Sequence, residues 1–304
     1  MVAEFYIIAE SFEHNSNFTK EEIENKVKSL AQDFVYIKRY RDTNQLFVHP
    51  DIYNVNFIED IPLLDLMFNE EIANKNLDRD VRLAIKKIII ESKETTCTSE
   101  EVIEVLLPEH DENKCHGLIG FNTVDSVEPE YQVVYNLNGW FQFRRHYLGL
   151  YPKDENFFLD ECEKYFPNVV FHENNRNTIG AILDNFPKKI VYHLTALNDK
   201  FRESEDGIRH RTQVLDHFSG NCNLDETATL EGHAERKPYF TYDFRNDEKI
   251  MQPVCCEPHM KLSSSDVNGD NTYYQHRIYF HEGFENISNH KILVGHIGEH
   301  IKFE

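Results

Sequence analysis

The sequence predicts a mixed α+β fold: an N-terminal α+β domain followed by a smaller β-rich module. Three observations carry this. Segments with apolar residues at helical spacing alternate with segments that switch between apolar and polar at every position. The texture changes near residue 202, from mostly helical periods to strands and turns. The chain has 304 residues, enough for about two cores. The expected domains are therefore 1–202, with a subdivision near 110–130, and 203–304.

Each element follows from local pattern. Glu4–Ala9 alternates as a short strand. Thr19 and Glu22 have the spacing of a capping box, opening a helix that runs to about Phe34. Phe34–Arg39 and Gln45–His49 read as a hairpin around Asp42. Leu63–Phe68 and Val81–Ile90 look helical, the latter with an apolar face around Leu83, Ile85 and Ile88. Thr98 and Glu101 cap another helix, which ends at Pro108. Residues 109–130 are polar and form a connector with one strand, Leu118–Phe121. Gln132–Leu137 is a strand and Gly139–Leu150 an aromatic-rich helix. In that helix Trp140, Phe143 and Tyr147 share a side and read as core, with Arg144 and Arg145 in solvent. Asp154–Phe166 is an amphipathic helix and Val169–Phe171 a strand. Thr178–Phe186 and Lys188–Phe201 are helices interrupted at Pro187. Glu203–Gly207 is a linker, and Tyr239–Phe244 a strand.

Composition excludes several function classes. No apolar run approaches the roughly 20 residues of a membrane helix, so no membrane association is expected. The first residues lack the basic and small-residue pattern of a signal peptide. Six scattered cysteines without a Cys-x-x-Cys pair point to free thiols in a reducing, cytoplasmic setting. The net charge is −21, which repels nucleic acid on average, so any polyanion site must be a local basic pocket. Nine of the 16 histidines lie after residue 200.

The chemistry concentrates in residues 257–301. Tyr273–His281 and Lys291–Ile297 form a hairpin. His259 and Lys261, two apart on a strand, point to one face; His276 is the expected companion, and Arg277 and Tyr279 alternate to the other face. Glycines 295 and 298 on either side of His296 allow close approach by a neighbour or a ligand. Phosphoryl transfer without metal needs a base, an acid and cations around the developing charge. His259, Lys261, Arg277, Tyr279 and His300 are the candidates for those roles.

The series His259-x-Lys261, Arg277-Ile-Tyr-Phe and Val294-Gly-His-Ile-Gly-x-His-Ile resembles the C-terminal hairpin of small bacterial RelE-like toxin domains, which are ribosome-dependent or free endoribonucleases. The resemblance covers about residues 220–304. It implies RNA cleavage without metal or cofactor. His259 would act as base or acid, Lys261 and Arg277 would stabilise phosphate charge, and Tyr279 or His300 would assist. The toxins are typically small and basic, whereas this region is acidic. A long preceding domain resembles phage-defence or abortive-infection effectors, where it senses or restrains. The implied partners are RNA and, through the first domain, a protein regulator.

Other readings compete. Asp225, Glu235 and Lys237 have the spacing of a Mg-dependent nuclease set. Arg211 and His217, six apart, resemble the motif of HEPN ribonucleases. Cys222, Cys255, Cys256 and His259 are the residue types of a zinc site, but the paired spacing is missing. Outside catalysis, the acidic charge suits a sensor or inhibitor that binds a basic partner.

Overall fold

A computed structural model describes residues 1–13, 17–122, 124, 127, 132–205, 207–208, 210–262, 266–267, 269 and 275–302. Helices and several sheets make the fold mixed α and β, and the chain divides into two compact units, Met1–Arg144 and Arg145–Glu304.

Unit 1 is built on five strands, every neighbouring pair parallel: β1 (Val2–Ile7), β2 (Asn44–Val48), β5 (Lys93–Glu94), β6 (Lys114–Ile119) and β7 (Val133–Val134), in the order β5-β2-β1-β6-β7. A separate antiparallel ribbon pairs β3 (Asn56–Ile58) with β4 (Ile61–Pro62). Strands of a parallel sheet are covered on both faces, and Phe5, Tyr6, Ile7 and Ile8 are all buried. Helix α1 (Lys20–Arg39) opens with the Thr19–Glu22 capping box and buries Ile23, Val27, Leu30, Phe34 and Ile37.

That stripe corrects the expected hairpin. Phe34 and Ile37 continue the three-four spacing begun at Ile23, so Phe34–Arg39 stays helical. The strand after it then pairs with β1 in parallel. Helices α2 (Leu63–Phe68), α3 (Glu70–Asn76) and α4 (Arg79–Glu91) follow. In α4 Val81, Ile85, Ile88 and Ile89 are buried, while Leu83 faces out. The short α5 (Ser99–Glu101) has the Thr98–Glu101 capping box and runs into a π-helical stretch, Val102–Leu106. Helix α6 (Leu137–Leu150) contains the division between the units.

Unit 2 contains α7 (Glu155–Tyr165), capped by Asp154, then β8 (Val169–Phe171), α8 (Asn175–Thr178), α9 (Gly180–Leu183), α10 (Pro187–Glu205) and α11 (Arg211–Asn221). Pro187 starts α10, where it loses no hydrogen bond. After a 3₁₀ stretch (Ala234–Phe240) come the hairpin β9 (Thr241–Arg245) and β10 (Met251–Cys255), then β11 (His259–Lys261), β12 (His276–His281) and β13 (Ile292–Glu299). The main sheet has the order β11-β12-β13-β8. The hairpin expected from the sequence is present as the antiparallel pair β12 and β13; Tyr273 and Tyr274 lie outside the described residues.

The compact units divide at residue 144 rather than at 202, and β8 shows why. Residues 169–171 pair in parallel with Ile292–Val294. Phe201 of α10 stands 5.3 Å from Phe280 of β12 and 5.1 Å from Phe218 of α11. The helices before residue 202 thus cover one face of the C-terminal sheet, where Ile278 and Phe280 are buried. The other face packs Tyr279 and Leu293 with Phe240, Phe244, Val254 and Cys256.

Candidate functional site

Antiparallel register sets the site. His259 stands opposite Tyr279 and Lys261 opposite Arg277. On the next strand Tyr279 faces His296 and Arg277 faces Gly298. Directly opposed residues share a face, so Arg277 and Tyr279, and not His276, join His259 and Lys261. His276 turns to the helical side and lies against the Phe186 ring, 4.6 Å between centroids.

The segment before the 3₁₀ stretch supplies what the sequence did not single out. Thr229 pairs with His259 through both backbone groups, at 3.0 and 2.9 Å, so its segment runs along the edge of β11. Gly232, at φ +77, turns the chain, and its N–H donates to Glu257 Oε1 at 3.0 Å. Between them Glu231 extends over the sheet with its side chain 8% exposed. Tyr279 Oη donates to Glu231 Oε1 at 3.1 Å. The same oxygen lies 3.5 Å from His300 Nε2 and 3.8 Å from His259 Nδ1. Arg236 Nη1 is 3.7 Å from Glu231 Oε2. Three of the five expected residues therefore converge, and they converge on a carboxylate.

The environments differ. His259 is buried; its Nε2 faces Thr229 Oγ1 at 3.2 Å and its Nδ1 the Glu257 carbonyl at 3.4 Å. Burial, with Arg277 and Lys261 adding to it against the pull of Glu231, lowers its pKa to about 4. It is a neutral imidazole with both nitrogens in use. Tyr279 is wholly buried, and burial first, then Glu231, raise its pKa, so it stays a neutral donor. His296 is also held neutral by burial, with Nε2 2.9 Å from the Glu299 carbonyl.

The outward groups include a guanidinium and an ammonium. Arg277 is half-buried and donates from Nη1 to the His276 carbonyl at 2.9 Å; burial lowers its pKa, yet guanidinium remains charged. Lys261, one-third exposed, lies 3.9 Å from Glu226 Oε2. His300 follows β13, donates its N–H to the Gln275 carbonyl and keeps its side chain 35% exposed. Arg277 and His300, with Gln275, Glu299 and Lys302, line an open cleft of about 370 Å³. The arrangement presents a carboxylate, an imidazole and guanidinium and ammonium groups on one side of a sheet, which are the parts for moving protons around an anion.

The competing sets do not gather in this way. Asp225 lies 3.5 Å from Lys189 and Lys237 lies 3.5 Å from Glu257, while Glu235 is on the exposed 3₁₀ stretch. Among the described residues no group of three or more His, Cys, Asp or Glu is placed to hold a metal ion. Arg211 is held by both oxygens of Glu282, and His217 Nδ1 lies 3.3 Å from the Ser204 carbonyl. Arg144 and Arg145 are not in solvent as expected but buried, Arg145 gripping Asp199 at 2.7 and 3.2 Å.

Comparison with protein-family models, with curated proteins and with solved structures returned no match.

Proposed function

We propose that unit 2 cleaves RNA without a metal ion, with Glu231 as the proton acceptor and His300 as the proton donor. The observation that carries this is the convergence of His259, Tyr279, His300 and Arg236 on one buried carboxylate beside a cationic cleft. Glu231 takes the role the sequence had assigned to His259, whose ring nitrogens are both engaged and whose ring is buried. Tyr279 and Arg236 hold the carboxylate in place.

In the reaction the RNA 2′-hydroxyl attacks the adjacent phosphorus and gives its proton to Glu231. The P–O5′ bond breaks, and the departing 5′-oxygen takes a proton from His300. The products are a 2′,3′-cyclic phosphate and a 5′-hydroxyl. Arg277 and Lys261 balance charge on the phosphate oxygens in transit. His300 touches Glu231 at 3.5 Å, so its ring must rotate to admit a phosphate; its exposed place past the end of β13 leaves room for that. Single-stranded RNA is the substrate this suits, because its 2′-hydroxyl can swing into line with the leaving oxygen. All six cysteines are free thiols, which supports a reducing, cytoplasmic setting for an effector of toxin or phage-defence type. Unit 1 is left to receive a regulator.

The test is RNA incubated with the purified chain in EDTA. Cleavage with 2′,3′-cyclic phosphate ends is expected, and Glu231→Gln or His300→Ala should each slow it by roughly 10²–10⁴-fold, the usual contribution of a positioned acid or base. A strict Mg²⁺ requirement, or a Glu231→Gln protein as active as the parent, overturns the reading.

A further inference from the structure

The helices of unit 1 leave one apolar surface uncovered. Helix α4 carries two stripes. Val81, Ile85, Ile88 and Ile89 turn inward and are buried. Arg79, Leu83, Lys86 and Ile90 are spaced three and four apart and lie on the opposite side; Leu83 and Ile90 are both exposed. On α2, Leu64 and Phe68 are one turn apart and exposed as well. Four of the eleven large apolar side chains left exposed among the described residues therefore belong to these two helices. Surface apolar groups scattered singly need no explanation, whereas gathered ones mark interaction sites. Phe68 and Leu83 line a groove of about 420 Å³ that reaches down to the buried Met67.

The same groove is lined by Arg79, Arg82 and Lys86, with Glu70 as the one carboxylate among its described lining residues. Two acids close in sequence are used elsewhere: Asp78 pairs with Lys20 at 3.1 Å and Glu71 with Lys75 at 3.0 Å. Among the described residues no ion pair reaches Arg79, Arg82 or Lys86. Lys86 Nζ stands 4.4 Å from the centre of the Phe68 ring, a contact that leaves its three N–H groups available. The chain has 53 acids against 32 Lys and Arg. Three cations without acidic partners around an apolar groove are an exception on such a surface.

We propose that a partner protein docks in this groove through a short acidic, amphipathic helix. Its apolar side chains cover Phe68, Leu83 and Ile90, and its carboxylates meet Arg79, Arg82 and Lys86. Arg79 and Arg82 are about one turn apart, which suits carboxylates one turn apart on the partner. Leu83 and Ile90 are two turns apart, about 10 Å along the axis, so a partner helix of three to four turns spans the surface. Charge selects this occupant. A second copy meeting the face symmetrically would set the same cations against each other. RNA and an anionic bilayer extend beyond the groove, where the acidic remainder of the chain repels them. A short helix escapes that repulsion, because exposed charges are screened beyond about 8 Å at physiological salt. The proposal names the kind of regulator that unit 1 receives, and it stands without RNA cleavage in unit 2.

The probe is a synthetic helical peptide of about 15 residues, with Leu at every third or fourth position and Glu at most others, titrated onto the full-length chain. Saturable one-to-one binding is expected with a Kd below about 100 μM, weakened about tenfold at about 0.5 M salt. The same peptide with Ser in place of Leu should bind at least about tenfold more weakly. Leu83→Ser should weaken binding by about tenfold, and Arg82→Glu combined with Lys86→Glu by about tenfold or more. Both variants should keep the parent's thermal midpoint, since neither touches the buried stripe of α4. No saturable binding up to about 1 mM, equal binding by the Ser peptide, or binding unchanged in both variants overturns the proposal. So does a face that ignores the peptide but, in a manner abolished by Leu83→Ser, binds anionic vesicles or joins two copies of the chain. Glu231→Gln should bind the peptide as the parent does, so this proposal and the nuclease reading fail separately.

Discussion

Glu231 shows what a single residue decides in this protein. It collects a tyrosine hydroxyl, two imidazoles and a guanidinium on one carboxylate. No pattern in the sequence singles it out, because it sits in an irregular segment where no periodicity assigns a face. The tyrosine and imidazole partners were legible, since period-two alternation on a strand is readable and histidines clustered near the end of the chain stand out, whereas Arg236, on a 3₁₀ stretch, was not. Their individual roles were not legible. Burial turns His259 into a neutral scaffold, and burial is a property of the packed state. This gives a pH prediction. In the folded chain His259 titrates at about 4, against about 6.5 when unfolded. The unfolded state thus binds more protons between those values, and stability falls as pH drops from about 6.5 to 4, by on the order of 3 kcal/mol. Urea unfolding of His259→Gln should show that much less loss over the same window. Asp33 acts with the opposite sign. Burial raises its pKa to about 7, so the folded state holds the proton longer, and stability falls as pH rises from about 4 to 7. Asp33→Asn should therefore be more stable than the parent at pH 8, by about 2 kcal/mol or more, with little difference at pH 4. An equal effect at both pH values would contradict the assignment.

At the scale of elements, the most faithful readings were those with a local cause. Both capping boxes are present, and β8 spans the residues expected of it. The errors came where two periods compete. Phe34–Arg39 alternates well enough for a strand, yet Phe34 and Ile37 also extend the apolar stripe of α1, and packing of that stripe wins. Partner choice was also hidden. Sequence shows that β12 alternates, but only the register with β11 decides that Arg277 stands beside Lys261 and His276 against Phe186. The glycines around His296 do permit close approach, and the neighbours are protein. A Cβ on Gly295 would overlap the Tyr242 ring and come within 2.9 Å of Cys256 Sγ. Gly295→Ala should accordingly destabilise unit 2 by about 1–3 kcal/mol, the usual cost of overpacking a core. An unchanged denaturant midpoint would show that Tyr242 moves aside freely.

For the whole molecule, charge frames what the site can do. A net charge of −21 opposes a long polyanion, and the cleft offers the cations Arg277 and Lys302, near Lys261. Under the proposed function, RNA contact is confined to two or three phosphates. Log affinity should fall against log salt with a slope of only about −2, since each single-strand phosphate contributes about −0.7; a slope several times steeper would reveal a broader basic surface. Fold class was legible at this scale, whereas the division at residue 144 was not, because it depends on β8 joining a strand more than a hundred positions later. The most direct test of the central claim is the pH dependence of RNA cleavage in EDTA for the parent, Glu231→Gln and His300→Ala. A bell-shaped profile is expected, losing its low-pH limb with Glu231→Gln and its high-pH limb with His300→Ala. Identical profiles in all three proteins would contradict it.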